Sequence, residues 1–172
     1  MQNFRIEPAG EADIPIVLSL IREMAAYEHA SREIEVNETL LRQFVFSDRP
    51  HAEVFLGYYE TAPVAYAIIL PKFYSYQGRP NLYLEDLYVQ PHLRGKGIGK
   101  VMMTHLAKLA LDRGCAFLEW SVLDWNEPAI QFYRRLGARR VEDRSHFYLD
   151  REALQPLAVT PSQTASSGVD PG

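Results

Sequence analysis

Cysteine is almost absent from this chain: Cys115 is the only one among 172 residues. A disulfide within the chain is therefore excluded, as is a zinc site built on a cysteine cluster, and no metal site is expected. Cys115 follows Gly114 at a helix-to-strand junction, where a small buried thiol is the simplest reading. Long apolar runs are missing too, and none approaches the ~18 residues of a membrane-spanning helix. There is no excess of positive charge: 22 acidic residues outnumber 18 Lys and Arg, leaving a net charge of −4. That balance argues against a nucleic-acid binder with a general basic surface and suits a protein that handles cationic substrates. The start, Met1-Gln2-Asn3-Phe4-Arg5, lacks the apolar core of a secretory leader, so a cytoplasmic location is expected. No internal repeat is visible. A hydrophobic share of 47% with 23% charged residues places the chain among soluble globular proteins. Its length suits one domain with a substantial core.

The elements follow from periodicity. Residues 3–8 are a short strand candidate. Asp13 can cap a helix with Pro15 in its first turn, and Ile14, Val17, Leu18, Ile21, Met24 and Ala25 repeat at helical spacing. Asn37 can cap a second helix carrying Leu40, Leu41, Phe44 and Val45. Residues 54–59 and 64–70 are rich in β-formers and joined by the short link Glu60-Thr61-Ala62-Pro63, which suggests a hairpin. Residues 82–89 form another strand, ended by Pro91. A helix over residues 97–113 buries Ile98, Val101, Met102, Leu106 and Leu109 and stops at Gly114. A strand over residues 116–123 follows, then a helix capped by Asn126, with Pro128 in its first turn and Gly137 after its end. Val141 and residues 147–149 are weaker strand signals. The expected fold is a mixed α/β sheet of six or seven strands flanked by helices. The folded domain is expected over residues 1–155. Residues 156–172, small, polar and containing Pro and Gly, read as a disordered tail.

The stretch richest in information is Arg94-Gly95-Lys96-Gly97-Ile98-Gly99, between a strand and an amphipathic helix. Glycines flanked by Arg94, Lys96 and Lys100 suit a loop whose bare backbone approaches a phosphate. The N–H groups opening the next helix then face the anion. Spacing excludes two familiar phosphate motifs. A P-loop needs four residues between its first glycine and Gly-Lys, and the dinucleotide loop needs G-x-G-x-x-G, whereas this loop reads G-x-G-x-G.

The order of strand, Arg-Gly-x-Gly-Ile-Gly, helix, strand and Asn-capped helix with Phe-Tyr resembles the GNAT N-acetyltransferase superfamily. Tyr83-Leu84-Glu85-Asp86-Leu87-Tyr88-Val89, the segment Asp124 to Tyr133, and Met24-Ala25-Ala26-Tyr27-Glu28 resemble its diamine acetyltransferase branch. That branch holds spermidine/spermine and thialysine acetyltransferases. The resemblance spans roughly residues 3–152 and implies two central parallel strands, 82–89 and 116–123, that splay to admit acetyl-CoA. It implies that the main chain of Leu87, Tyr88 and Val89 pairs with the pantetheine arm as an added strand would. It assigns the pyrophosphate to Arg94, Gly95, Lys96, Gly97, Ile98, Gly99 and Lys100. Asn126, Glu127, Pro128, Ala129 and Tyr133 are expected near the reactive end of the cofactor. A homodimer is common in the family and is expected here.

Acetyl transfer to an amine has three needs. An ammonium of pKa near ~10 must lose a proton, an oxyanion needs fixed donors, and the departing thiolate needs a proton. Glu85 is the candidate base, acting through a water, because a carboxylate on a central strand is partly desolvated. Backbone N–H groups around Leu87 are the candidate oxyanion donors. Tyr133 is the candidate acid, since a phenol stays protonated at neutral pH. On a regular strand Asp86 would face away from Glu85; the bulge that the family carries here complicates that alternation. The resemblance places Tyr27, Glu28, Glu85, Asp86, Glu119, Trp120 and Ser121 at the amine. Cys115 is poorly placed for a nucleophile, so direct transfer is preferred over a ping-pong route.

One departure bears on the substrate. Polyamine acetyltransferases carry an acid and a tryptophan before the 82–89 strand, where this chain has Ser75-Tyr76-Gln77-Gly78-Arg79-Pro80-Asn81. Losing an acid and gaining Arg79 weakens the case for a long polycation. Residues Val122 to Asn126 look closer to the thialysine type. A small diamine or lysine-like amino acid is therefore favoured. Glu142 and Asp143 are candidates for a late acidic contact. Acetylation of a protein lysine or N-terminus is a second reading, and a non-catalytic acyl-CoA-binding domain a third. Retention of both Glu85 and Tyr133 argues against the last.

Overall fold

The computed structural model describes residues 3–30, 34–142 and 145–159, and the chain divides after Leu136 into two units. In the first unit, five strands form one sheet in chain order: β1 (Phe4–Pro8), β2 (Glu53–Tyr59), β3 (Ala62–Tyr74), β4 (Arg79–Val89) and β5 (Leu118–Trp120). Adjacent pairs among β1 to β4 are antiparallel, and β4 and β5 are parallel. The difference follows from the connections. Tight turns can join antiparallel strands, whereas a parallel pair needs a long crossover, supplied here by α3 (Ile98–Asp112).

Helices cover both faces of the sheet. On one, α3 buries Ile98, Met102, Met103, Leu106 and Ala110 against Ala65, Ala67, Ile69, Leu82 and Leu84. On the other, α1 (Ile14–Tyr27) and α2 (Glu38–Phe44) pack Ile14, Val17, Leu18, Leu20 and Leu41 against Val54, Leu56, Tyr66, Ile68 and Tyr88. The α1 stripe recurs at the 3.6-residue period that the sequence shows. Asn37 caps α2, its side chain accepting the Leu40 N–H at 3.0 Å. A last helix of this unit, α4 (Glu127–Arg135), starts at Asn126.

The strand count differs from the six or seven expected. Val141 and residues 147–149 form no strand among the described residues; they are exposed, Phe147 at 88%, and make no ladder with a neighbour. β5 is also shorter than the 116–123 span. Its ladder with β4 ends at Leu84 and Trp120 while β4 runs on to Val89. The two parallel strands therefore part, as the resemblance implies.

In the second unit, α5 (Arg151–Val159) begins where the Asp150 carboxylate accepts the Ala153 N–H at 2.9 Å. It crosses position 156, where the sequence suggests that a tail begins, with Pro156 inside the helix. Residues 160–172 and Asp143 lie outside the described residues. Among the described residues no helix is long and apolar enough to cross a membrane.

Candidate active site

Where β4 and β5 part, a cavity of about 860 Å³ opens. Its floor is set by an irregularity in β4. Ile68 of β3 pairs with Asp86, and the next residue, Ile69, pairs with Leu84, so Glu85 is unopposed in a β-bulge. The extra residue flips the parity of the strand. Before it, Leu82 and Leu84 face α3; after it, Leu87 and Val89 do. Tyr88 consequently faces α1. Glu85 and Asp86 thus sit at the place where regular alternation fails. Glu85 is exposed to the cavity, and the desolvated acid is Asp86, a correction to the reading that put the burial on Glu85. The Tyr66 hydroxyl donates to Asp86 Oδ2 at 2.9 Å, and Met24 Sδ lies 3.2 Å from the same hydroxyl. Burial pushes the Asp86 carboxyl up to about 6; the Tyr66 hydrogen bond opposes the shift, and the charges of Glu85 and Glu28 add to it.

The main chain of β4 presents its free groups to this opening. The Gln90 N–H donates to the Val64 carbonyl at 3.0 Å. Antiparallel strands alternate bonded and non-bonded pairs, so the N–H and C=O groups of Leu87 and Val89 point away from β3. Beyond β4, Gly95 (φ 74°) and Gly97 (φ 85°) take left-handed conformations that side chains rarely tolerate. Gly97 is the N-cap of α3, so the first N–H groups of that helix are left for an external acceptor. Gly99 meets α4: a Cβ there would lie 3.3 Å from Phe132 Cζ.

The C-terminal end of α1 forms another wall. The Tyr27 hydroxyl donates to Asn126 Oδ1 at 3.3 Å, and that oxygen also accepts the Ala129 N–H at 3.3 Å as the cap of α4. The Arg94 guanidinium stacks 3.9 Å from the Tyr27 ring centroid, and its Nε donates to the Val89 carbonyl at 2.9 Å. One helical turn before Tyr27, the Glu23 carboxylate accepts from the Tyr88 hydroxyl at 3.3 Å and from Gln90 Nε2. On α4, Tyr133 packs on Trp120 with ring centroids 4.8 Å apart. Burial, then the charge of Glu28, pushes its phenol up to about 12, and burial raises Glu28 itself.

A glycine loop with bare helix N–H groups beside a splayed parallel pair is the geometry that the resemblance implies, and the chain as a whole agrees. The profile of the Acetyltransferase (GNAT) family matches residues 20–138. The chain belongs to this family. It is 36% identical over 169 residues to the thialysine N-epsilon-acetyltransferase of Sus scrofa, covering 92% of this chain and 99% of that protein. Against the L-ornithine N5-acetyltransferase NATA1 of Arabidopsis thaliana, the identity is 25% over 198 residues, covering 89% and 87%. Among solved structures, an integron cassette protein from the mobile metagenome of V. cholerae superimposes with a TM-score of 0.76 at 24% identity, covering 92% of this chain and 99% of that one.

In this acetyltransferase the cavity gathers Tyr27, Glu28, Glu85, Asp86, Trp120 and Ser121 from the expected amine contacts. Leu87, Tyr88, Val89, Arg94, Gly95, Gly97, Ile98, Gly99 and Lys100 line it as well, and so do Asn126, Pro128, Ala129 and Tyr133. Three expected residues fall elsewhere. Glu119 is tied to Lys72 Nζ at 2.8 Å and to Asn81 Nδ2 at 3.0 Å. The Glu127 side chain bonds Gln131 on the surface of α4, and Lys96 is exposed outside the lining. Sequence reasoning missed Tyr66, which reads as one more aromatic in a β-rich run. It also missed Phe132 as a lining residue, although its neighbour Tyr133 was singled out.

Proposed function

We propose that this acetyltransferase moves an acetyl group from acetyl-CoA directly to the primary amine of a small diamine or lysine-like amino acid. The observation that carries this reading is the joining of Glu28, Glu85 and Asp86 with Tyr133 in one cavity at the parting of β4 and β5. Three acids attract a cationic amine, and the phenol is held protonated by its surroundings. The names of the thialysine and ornithine acetyltransferases support a lysine-like acceptor, and so does Arg79 in the β3–β4 hairpin.

The residues present fit the cofactor. Gly95 and Gly97 bare the backbone and α3 offers N–H groups to a pyrophosphate. The outward main chain of Leu87 and the N–H of Val89 suit pairing with pantetheine amides, while the Val89 carbonyl accepts Arg94 Nε. When bound, acetyl-CoA supplies an activated thioester for a neutral amine to attack. With it bound, Glu85, exposed to the cavity, would take the ammonium proton through a water, the Leu87 N–H would donate to the thioester carbonyl oxygen, and Tyr133 Oη would give its proton to the CoA sulfur. Tyr27 and Glu28 bind the amine. A homodimer acting in the cytoplasm completes the proposal on the strength of the family resemblance.

The test is CoA-thiol release across thialysine, lysine, ornithine, putrescine, spermidine, spermine and a lysine peptide. Selective turnover of a small amine supports the proposal, and turnover of the peptide alone overturns it. Tyr133→Phe should lower kcat by about 10²-fold or more with little effect on acetyl-CoA affinity. A variant that turns over like wild type removes Tyr133 as the acid.

A further inference from the structure

Below the point where β4 and β5 part, the sheet carries a polar strip that the transfer chemistry does not use. Leu82 and Leu84 of β4 face α3, and so do Leu118 and Trp120 of β5. Alternation turns Asn81, Tyr83, Glu119 and Ser121 to the opposite face. Lys72, which pairs with Asn81 in the β3–β4 ladder, reaches the same place. Its Nζ lies 4.3 Å from the Tyr83 ring centroid and 2.8 Å from Glu119 Oε1. Asn81, only 2% exposed, donates to that same oxygen at 3.0 Å. Glu119 is thereby anchored to a buried amide, and Lys72 is held by Glu119 and by the ring. The Tyr83 hydroxyl meets Ser121 Oγ at 2.9 Å, and Ser121 lines the cavity. The strip therefore continues from the cavity that gathers Glu28, Glu85 and Asp86.

We propose that Lys72, with the Tyr83–Ser121 hydroxyl pair, receives the α-carboxylate of a lysine-like amino acid whose side-chain amine is acetylated beside Glu85. This rests on the acetyl-transfer reading above and narrows it from small amines to α-amino acids. Charge carries the argument. Three acids gather at the cavity end, and a cation stands at the other, with Arg79 two residues before Asn81 on the same face. A lysine-like zwitterion has that polarity, an ammonium at its tip and a carboxylate at its head, and Glu119 stands beside Lys72 for the α-ammonium. The second ammonium of a diamine would meet Lys72 instead, and like charges repel. Length agrees as well. The five bonds from the lysine ε-nitrogen to the α-carbon span about 6 Å when extended. From Glu85 to Tyr83 the strand rises about 7 Å. Donors are available too. Lys72 carries three N–H bonds, of which Glu119 takes one. The Tyr83–Ser121 contact uses one of two hydroxyl protons and leaves the other for a carboxylate oxygen.

The experiment compares lysine, lysinamide and cadaverine as acceptors on wild type, Lys72→Met, Lys72→Arg and Tyr83→Phe. Lysinamide lacks the carboxylate charge, and cadaverine lacks the whole group. Wild type should favour lysine over lysinamide in kcat/KM by about tenfold or more, the scale of a charge-assisted hydrogen bond in a partly exposed site. Lys72→Met should abolish that preference through the lysine KM, and Lys72→Arg should keep most of it. Tyr83→Phe should lose a part, about threefold, as one neutral donor goes. The losses from lysinamide and from Lys72→Met should not add, because both remove one contact. A wild type that prefers cadaverine overturns the proposal, and so does a Lys72→Met variant that still prefers lysine to lysinamide. An equal loss for all three acceptors overturns it too and makes Lys72 a support of the sheet. If wild type turns over none of the three, calorimetry with the CoA-loaded protein decides, and the transfer reading is judged separately by the wider amine panel. Lysine should then bind wild type at least about tenfold more tightly than lysinamide does, and Lys72→Met should bind the two alike. Equal affinities in wild type refute the site.

Discussion

The two faces of the sheet are built differently. The α3 face is the drier: its buried cluster of Phe55, Val64, Ile69, Leu82, Ile98, Leu106 and their neighbours is apolar, and the polar ring that packs on it, His105 against Phe55 with centroids 5.0 Å apart, makes no hydrogen bond through its buried Nε2 among the described residues. The α1 face buries Tyr66 and Tyr88 among its aliphatics and carries a desolvated Asp86 within reach of a hydroxyl. Apolar packing is strong but non-directional, so it fixes α3 on the sheet without specifying its rotation closely. Directional bonds from Glu23, Met24 and Tyr27 place α1 relative to the β4 bulge and to α4. The site lies where the two faces meet. The dry face supplies stability and packs the Tyr133 phenol, and the polar face supplies the placing of the acids.

The strongest way to break this contrast is Leu106→Ala. Leu106 is fully buried under α3, and its truncation should lower unfolding free energy by about 2–5 kcal/mol. Below its melting midpoint the variant should keep the wild-type KM for its amine. A changed amine KM would show that the dry face also shapes the site.

Asp86→Asn probes the polar face in the opposite direction. The folded-state pKa of Asp86 lies above its unfolded value, so between about pH 4 and pH 6 the folded protein binds more protons than the unfolded chain. The ionised acid therefore costs stability that grows as pH rises through this window and stays constant above it. Asp86→Asn should be the more stable protein above pH 6, by up to about 3 kcal/mol, with the advantage vanishing below pH 4. Urea melts of both proteins at pH 4, 5, 6 and 7 measure it, and a constant difference across that range refutes the assignment. The amine KM should rise even as stability does, the opposite dissociation from Leu106→Ala.

Tyr66→Phe comes next, at about 1–2 kcal/mol, because it leaves a buried carboxylate oxygen without its donor. The Tyr66 hydrogen bond holds the Asp86 carboxyl down against its burial. Removing it should move the pH-dependent step of the melts to higher pH. A step at the wild-type position would mean that the hydroxyl does not govern the acid.

Much of this contrast was legible in the sequence, and the part that was not has a common cause. The stripe on α1, the Asn37 and Asn126 caps, the hairpin and the glycine loop are local patterns, each readable within a dozen residues. The bulge is not local. Glu85 and Asp86 look alike in sequence, and only the register of β3 against β4 decides which is left over. The same holds for Arg94, whose surroundings in sequence are glycines while its partners Tyr27 and Tyr88 come from other elements. Glu119 shows the reverse error: an acid on a strand beside the site is taken up by Lys72, brought to it by β3. Residues 147–149 have strand composition but no ladder, which composition alone cannot supply.

The smallest effect sharpens the comparison where the two faces meet, at Gly99→Ala. Gly99 lies in the first turn of α3, where alanine is favoured over glycine by less than the about 1 kcal/mol of a helix interior. Against that, the new Cβ would lie 3.3 Å from Phe132 Cζ, so the Phe132 ring must yield by a few tenths of an ångström. The two terms nearly cancel, and the melting midpoint should change little. The displacement does not cancel in the same way. Phe132 neighbours Tyr133 at 5.2 Å between ring centroids, so a shift of the ring is passed to the phenol. Turnover should therefore fall by about twofold to tenfold with stability preserved, since small misplacements of a reacting group are costly to rate and cheap to fold. Unchanged turnover in a protein of unchanged stability would show that α4 absorbs the strain by moving as a body, and that Tyr133 is placed by its contact with Trp120 rather than by the packing of α3.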